Sequence, residues 1–341
     1  MTAITAETLP PPLVWITKTT RAGDTNARIG IAEHLSDTWS ELEMPSEFCT
    51  PEQVKARLLR ANLIRPDALK WPDVLIGPCF HIPYMQVIKT LSGGKTVVVA
   101  LRPPVRGLQI KAQQTDIDNT DIIVSYPYHN NDNIPNLLLC ETVANRIRDK
   151  QLRQAKSRWA KDFAPFINKG TVIGLLMGGD VGDKRRIFSP AIAKNLGKTI
   201  NEIATRMKST LIISVSARTS QESQDALCSQ ISVPYYLYDP KQTTGDNPYF
   251  GILGSVDYLV VTADSISMCS EAASSGKPVY IFHDPDIVEA THNQVVSFLI
   301  KKGHARLLNK TTDLENFSYT PSNSAQIIAS NVQRILNSRK N

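Results

Sequence analysis

The chain lacks the long apolar run that a membrane-spanning helix requires. None of its 341 residues lies in a stretch that approaches the roughly 18 consecutive apolar residues of such a helix. Residues 1–12 also lack the basic start and the apolar core of a signal peptide. These two absences predict a protein that stays in the compartment where it is made, which we take to be the cytoplasm.

Cysteine is scarce and scattered. The five cysteines, at positions 49, 79, 140, 228 and 269, are odd in number, and no two of them form a C-x-x-C pair. This pattern indicates neither a disulfide framework nor a zinc site, and it fits a reducing cytoplasm.

The length and composition are those of a globular protein with two domains. A chain of 341 residues exceeds what one hydrophobic core usually organises, and 42% apolar with 21% charged residues is ordinary for α/β proteins. We therefore expect two domains of similar size.

Positive charge is concentrated in residues 53–111, which contain ten Lys or Arg and only two Asp. Basic surfaces attract phosphate groups, so this segment predicts an anionic or lipid-linked partner and a peripheral contact with the inner face of the membrane. A solvated face without a partner is the alternative. We expect no nucleic-acid partner, because no interleaved basic and aromatic residues or known binding motif accompany the charge.

Short runs rich in Val, Ile and Leu recur along the whole chain, each followed by turn residues and then by a helical pattern. The runs are residues 13–17, 73–76, 96–101, 121–125, 171–177, 211–215, 234–238, 258–262, 278–282 and 305–308. Strands that alternate with helices build β-α-β units, whose parallel sheets carry helices on both faces. The sequence therefore predicts an α/β protein.

Two helical patterns mark the boundaries of the predicted domains. Residues 141–167 are polar and basic with apolar residues on one helical face, and they predict a linker helix at 151–168. Apolar residues at helical spacing in the tail predict a terminal helix at 322–341. The N-terminal domain is then 1–150, and the C-terminal domain is 169–321.

Small and polar residues follow three predicted strands of the C-terminal domain, where ligands of open parallel sheets bind. Glycine allows a ligand to approach the backbone, hydroxyl groups and helix N-terminal amides hold phosphate oxygens, and arginine can pair with a phosphate. These residues outline a diphosphate pocket. They are Gly178, Gly179, Asp180, Ser216, Arg218, Asp264, Ser265 and Ser267.

The third of these loops opens a predicted helix. Asp264, Ser265 or Ser267 can cap its start, and Gly276 suits the left-handed position past its end. Glu271 lies about 9 Å along the helix axis from Ser265, roughly the distance from a diphosphate to the hydroxyl groups of its ribose. The alternative is that the serines are only caps and Glu271 is a surface charge.

A second helix start lies upstream, at Asn247-Pro248, with Asn247 as the predicted cap and the proline in the first turn. The polar residues 239–246 before it predict a lip that covers the nucleotide base.

Residues 247–282, which run from N-P-Y-F-G to G-K-P-V-Y-I-F, resemble the signature of the plant mitochondrial-fission (elongated-mitochondria) family and its bacterial homologues. Supporting matches lie, in the same order along the chain, at residues 21–26, 72–77, 178–180 and 211–219. The resemblance thus covers most of the chain.

The resemblance implies a GT-B glycosyltransferase architecture, in which two Rossmann-like domains face a cleft and the C-terminal domain holds the donor nucleotide. By similarity to the enzyme that adds N-acetylglucosamine during peptidoglycan assembly, Glu271 would hold the ribose. Ser265, Ile266 and Ser267 would meet the diphosphate. The chain departs from the family at Ala217-Arg218, where two arginines are more usual.

The expected function is transfer of a sugar from a nucleotide-diphosphate sugar to an anionic or lipid-linked acceptor of the cell envelope. Helix dipoles and cationic side chains can stabilise a leaving diphosphate, so we expect neither a metal nor a cofactor. Bacterial members of the family are also described as nucleotide-sugar epimerases, and the plant member is linked to recruiting fission machinery. An epimerase and a non-catalytic adaptor are therefore the alternatives.

A transferase also needs a general base for the acceptor hydroxyl group. The candidates are Asp24 and His129, which follow predicted strands of the N-terminal domain. Asp24 could instead cap a helix from Thr25 to Leu35, and His129 could be a turn residue.

Overall fold

The computed structural model describes residues 10–19, 22–44, 50–61, 63, 70–101, 114–126, 134, 136–181 and 185–339. The chain forms two compact units. The first comprises Met1–Arg146 with Asn323–Asn341, and the second comprises Ile147–Ser322.

The first unit is built on a six-stranded parallel sheet. Its strands are β1 (Val14–Thr17), β2 (Trp39–Leu42), β3 (Val74–Pro78), β4 (Val97–Leu101), β5 (Ile122–Ser125) and β6 (Leu137–Leu139). They lie in the order β2-β1-β3-β4-β5-β6, with every pairing parallel. Its first helices are α1 (Ala22–Leu35), α2 (Pro51–Arg60), α3 (Ile82–Leu91) and α4 (Gln114–Asp118), with a short 3₁₀ turn at Cys79–His81.

The second unit repeats this plan with a different strand order. Its strands are β7 (Val172–Met177), β8 (Thr210–Val215), β9 (Tyr235–Tyr238), β10 (Tyr258–Thr262), β11 (Val279–Phe282) and β12 (Arg306–Leu307). They lie in the order β12-β11-β10-β7-β8-β9, again all parallel. Its helices are α5 (Asp149–Ile167), α6 (Pro190–Arg206), α7 (Gln221–Cys228), α8 (Tyr249–Ser255), α9 (Ile266–Ser274) and α10 (Ala290–Lys301).

The helices at the two predicted boundaries are each part of one unit. The predicted linker forms α5, which packs on α8 within the second unit. A Cβ atom at Gly254 would lie 2.6 Å from the Leu152 carbonyl oxygen, so the two helices approach closely there. The tail forms α11 (Ser324–Ser338), which packs on α1 and belongs to the first unit.

The predicted α/β class is confirmed, and the apolar runs predict most of the strands. The central strands β3, β4, β7, β8 and β10 are buried along their whole length, as strands covered by helices on both faces are. The predictions missed β2 and β6, which form the two edges of the first sheet and are only partly buried.

Within the described part of the chain, no helix has the combination of length and apolar character that spanning a bilayer requires.

Candidate functional site in the second unit

The strands β7 and β10 form a topological switch point in the second sheet. They pair with each other, and from them the chain continues to β8 on one side and to β11 on the other. Open α/β sheets bind ligands in the crevice beyond the carboxyl ends of such strands. Gly178 directly follows β7, and Asp264 lies just beyond β10.

Asp264 joins the loops that follow three neighbouring strands. Its Oδ2 accepts hydrogen bonds from the backbone N–H of Gly179 at 2.8 Å and from Nη2 of Arg218 at 3.2 Å. The carboxyl group is fully buried, and burial raises its pKa, while Arg218 and the Gly179 N–H act in the opposite direction. The carboxylate therefore holds the predicted pocket loops together.

The predicted glycines make room for the Asp264 side chain and for the backbone at Arg218. A Cβ atom at Gly178 would lie 1.9 Å from Oδ2 of Asp264, and one at Gly179 would lie 2.3 Å from the carbonyl carbon of Arg218. The close approach that glycine permits here is between the loops themselves.

Arg218 is engaged by the same loops. Its Nη1 donates to the carbonyl oxygens of Gly179 at 3.0 Å and of Asp180 at 2.5 Å. Ser216 Oγ accepts from the Arg218 backbone N–H at 3.1 Å, and Asp180 Oδ1 accepts from the Phe188 N–H at 2.9 Å. The Arg218 side chain is still 41% exposed, so part of the guanidinium remains accessible to a ligand.

The N-terminus of α9 opens at this rim. Ser265 is its N-cap and accepts from the Met268 N–H at 3.4 Å. Residues 265–268 are half-buried, so the first amides of the helix lie near solvent. At the other end Gly276 has a φ of +74°, the left-handed conformation that the sequence predicts after this helix.

Glu271 is buried in α9, so the interpretation of it as a surface charge is wrong. Its Oε2 accepts a hydrogen bond from the Tyr249 hydroxyl at 2.8 Å. Burial raises the pKa of Glu271 to about 7, although the hydrogen bond from Tyr249 acts against this. Burial also holds the pKa of Tyr249 well above its usual range. Tyr249 was not predicted as a site residue; its place in the family signature, two residues after Asn247, was the available signal.

Asn247 lies one residue before the N-cap of the helix that it was expected to cap. Helix α8 begins at Tyr249 with Pro248 as its N-cap, and the Asn247 side chain accepts from the Tyr249 N–H at 2.9 Å. Asn247 thus fixes the backbone of the residue that contacts Glu271. Residues 240–246 of the predicted lip are exposed, whereas Asp239 is buried.

The two predicted base candidates lie in the first half of the chain. Asp24 is half-buried in the first turn of α1. This helix begins at Ala22, so the alternative, in which Asp24 caps a helix starting at Thr25, is wrong. His129 lies outside the described residues. Among those that are described, no group of three or more His, Cys, Asp and Glu side chains is placed to hold a metal ion.

Two Rossmann-like parallel sheets, each in its own unit, are the architecture of the GT-B fold of α/β proteins. The family model described as Mitochondrial fission ELM1 matches residues 22–336, and the chain belongs to this family. The predicted family and fold are thus confirmed.

Three similar proteins illustrate these assignments. An uncharacterized protein of Rickettsia prowazekii is 37% identical over 167 residues, which are 48% of this chain and 46% of that protein. The mitochondrial fission protein ELM1 of Arabidopsis thaliana is 30% identical over 212 residues, 60% of this chain and 46% of that protein. The matches therefore span about half the length of either relative.

The third is the solved structure of UDP-GlcNAc 2-epimerase from Methanocaldococcus jannaschii. It matches with a TM-score of 0.58 and 14% sequence identity, over 95% of this chain and 99% of that one. At this identity the likeness establishes the fold alone.

Proposed function

We propose that the second unit binds the nucleoside diphosphate of a nucleotide sugar. The diphosphate is held at the N-terminus of α9 by Ser265, Ile266 and Ser267, and Glu271 accepts hydrogen bonds from the ribose. The observation that carries this proposal is the buried Glu271 on the same helix whose capped N-terminus lies at the switch point of the sheet. A buried carboxylate needs donors, and ribose hydroxyl groups supply them.

The proposed reaction is transfer of the sugar to a hydroxyl group of an anionic or lipid-linked acceptor. The α9 dipole and the accessible part of Arg218 would stabilise the leaving diphosphate, which makes a metal ion unnecessary. The basic segment 53–111 supports an anionic acceptor and a peripheral contact at the inner face of the membrane. The cell envelope is where a bacterial acceptor of this kind would be used.

Calorimetry with a panel of nucleoside diphosphates tests the binding step. We expect one of them to bind, and Glu271→Gln to weaken it about 10- to 100-fold, because a hydrogen bond to a charged group contributes about 1.5–3 kcal/mol. Glu202→Gln on α6 is the matched control, since it makes the same chemical change on another helix of this unit. Absence of binding to every diphosphate, or equal affinities for the two variants, would contradict the proposal.

Epimerisation is the second candidate, because the similar solved structure is that of an enzyme named UDP-GlcNAc 2-epimerase. An epimerase would convert a sugar nucleotide alone, whereas a transferase turns over only when an acceptor hydroxyl group is supplied. An adaptor without catalysis is the third candidate, because the Arabidopsis relative is named a mitochondrial fission protein. An adaptor would do neither, so nuclear magnetic resonance of the sugar after incubation separates all three.

A further inference from the structure

The protein satisfies only part of the Glu271 carboxyl group. Its Oε2 accepts a hydrogen bond from the Tyr249 hydroxyl group at 2.8 Å, and no other described residue donates to this side chain. A carboxylate has about four lone-pair sites, and a buried one needs donors for them. Glu271 keeps 6% of its surface exposed, so a ligand at this helix can supply the donors that Oε1 lacks.

Tyr249 reaches Glu271 from a fixed backbone position. Its N–H donates to Oδ1 of Asn247 at 2.9 Å, at the start of α8. Two residues further on, a Cβ atom at Gly251 would lie 2.5 Å from Cδ1 of Trp159, so this turn of α8 sits directly on α5. The phenol ring is therefore anchored by its own helix and not by the carboxyl group that it contacts.

The hydrogen bond sets the plane of the carboxyl group. Burial holds the pKa of Tyr249 well above its usual range, so the phenol keeps its proton and acts as the donor. The terminal torsion of a glutamate side chain has only a broad preference, so the residue does not fix this plane by itself. With Oε2 held by Tyr249, the lone pairs of Oε1 point in one direction.

We propose that Tyr249 is a positioning residue that orients the Glu271 carboxylate, and that the site thereby selects ribonucleoside diphosphates over their 2′-deoxy forms. This inference rests on the proposed nucleotide binding. The vicinal hydroxyl groups of ribose are two donors side by side for the lone pairs that Tyr249 leaves free.

A 2′-deoxyribose supplies one donor fewer and leaves a buried acceptor unpaired, which costs binding free energy. A carboxylate that is held in place cannot turn away from this mismatch. Sugar donors built on a 2′-deoxynucleotide, such as thymidine diphosphate sugars, are then poor ligands for this unit.

The first test measures this selectivity in the full chain by calorimetry at pH 8. The ligands are ADP, CDP, GDP and UDP, each with its 2′-deoxy form. We expect the wild type to bind a ribonucleoside diphosphate about 10- to 100-fold more tightly than its 2′-deoxy form. Tyr249→Phe removes only the hydroxyl group, and we expect it to bring this ratio close to one, because the released carboxylate can turn away from the mismatch.

Tyr280→Phe is the matched control, since it removes a hydroxyl group that donates to the Glu315 carbonyl oxygen at 3.0 Å, and it should keep the wild-type ratio. A wild type that binds both members of a pair equally overturns the selectivity. A Tyr249→Phe protein that keeps the wild-type ratio overturns the role of Tyr249. If none of the eight ligands binds, the proposed nucleotide binding is contradicted, and the selectivity with it.

The second test needs no nucleotide. Carbon-13 nuclear magnetic resonance of labelled glutamate carboxyl groups follows the ionisation of Glu271, whose signal is the one that Glu271→Gln lacks. Burial raises the pKa of Glu271 to about 7, and the hydrogen bond from Tyr249 lowers it. We therefore expect a midpoint near 7 in the wild type and in Tyr280→Phe, and a higher one in Tyr249→Phe. Equal midpoints in the wild type and Tyr249→Phe would mean that Tyr249 does not hold the carboxylate in solution, which overturns its positioning role.

Discussion

Glu271 is a carboxyl group whose pKa is raised by burial. The Tyr249 hydroxyl group donates a hydrogen bond to Glu271 at 2.8 Å. The pKa of Glu271 is raised from 4.5 to about 7. An acid with a raised pKa in the folded state binds its proton more tightly there than in the unfolded chain. Its contribution to stability is then fully present below pH 4.5 and is lost as the pH rises through 7.

We expect this titration to appear in the stability of the protein as a function of pH. The free energy of unfolding of the wild type, measured relative to Glu271→Gln, should fall between about pH 4.5 and 7, with a slope of at most about 1.4 kcal/mol per pH unit. Urea denaturation without nucleotide, at half-unit steps of pH, measures it. The variant cancels the titration of all other groups, so a difference that does not vary with pH would mean that the pKa of Glu271 is the same in the folded and the unfolded states.

The sequence predicted where residues lie along a helix better than it predicted whether their side chains are buried. The sequence offered Asp264, Ser265 or Ser267 as the cap of α9, of which Ser265 is the N-cap, and it placed Glu271 within the helix. It could not predict that Glu271 is buried, because the partner Tyr249 lies on another helix. The contact between His81 and Thr17 could not be predicted for the same reason, because the two residues are 64 positions apart in the sequence.

Helix α5, predicted as the linker, packs within the second unit. Its apolar face rests on α8, where Gly251 and Gly254 lie against Trp159 and the Leu152 carbonyl group. Side chains at the two glycines would separate the helices. The glycine of the N-P-Y-F-G signature therefore serves helix packing, and this packing supports the helix that carries Tyr249 to Glu271.

Adding one methyl group tests the contact between these helices. We expect Gly254→Ala to lower the free energy of unfolding by about 1–3 kcal/mol, because the new Cβ atom would lie 2.6 Å from the Leu152 carbonyl oxygen. Gly245→Ala is the control, since a Cβ atom there meets no atom within 4 Å. Urea denaturation of both variants compares them. If they are equally stable, the close approach of α5 and α8 is not maintained in solution.

The strand predictions succeeded where burial was complete and failed where it was not. A continuous apolar run is the signal of a central parallel strand, and β4 and β7 carry it along their whole length. The edge strand β2, with the sequence W-S-E-L, has one buried residue and offers no such run. Pairing with β1 makes it a strand, and pairing cannot be seen in a single segment.

The first unit is assembled from two distant parts of the sequence. Helix α11 packs on α1 with Ile328 and Val332 fully buried. Thr142 and Ser324, which lie 3.1 Å apart between their hydroxyl oxygens, join the two parts where the chain enters and leaves the second unit. The second unit, Ile147–Ser322, is one continuous segment.

Two adjacent isoleucines of α11 test this assembly. We expect Ile328→Ala to cost about 2–5 kcal/mol and to speed amide hydrogen exchange in α1 and β1, because the side chain is fully buried in the first unit. Ile327→Ala makes the same change at a residue that is 44% exposed, and we expect little effect. Faster exchange confined to β7 and β10 in the Ile328 variant would contradict the assignment of α11 to the first unit.

The division of the first unit has a consequence for synthesis on the ribosome. All strands of the second unit emerge before α11 does, so the unit that is begun first is completed last. Until then, the apolar face of α1 that α11 covers stays without its partner, while the second unit can already fold. Nascent chains of this protein should therefore bind chaperones through the apolar face of α1. They should release the chaperones only when α11 has left the exit tunnel.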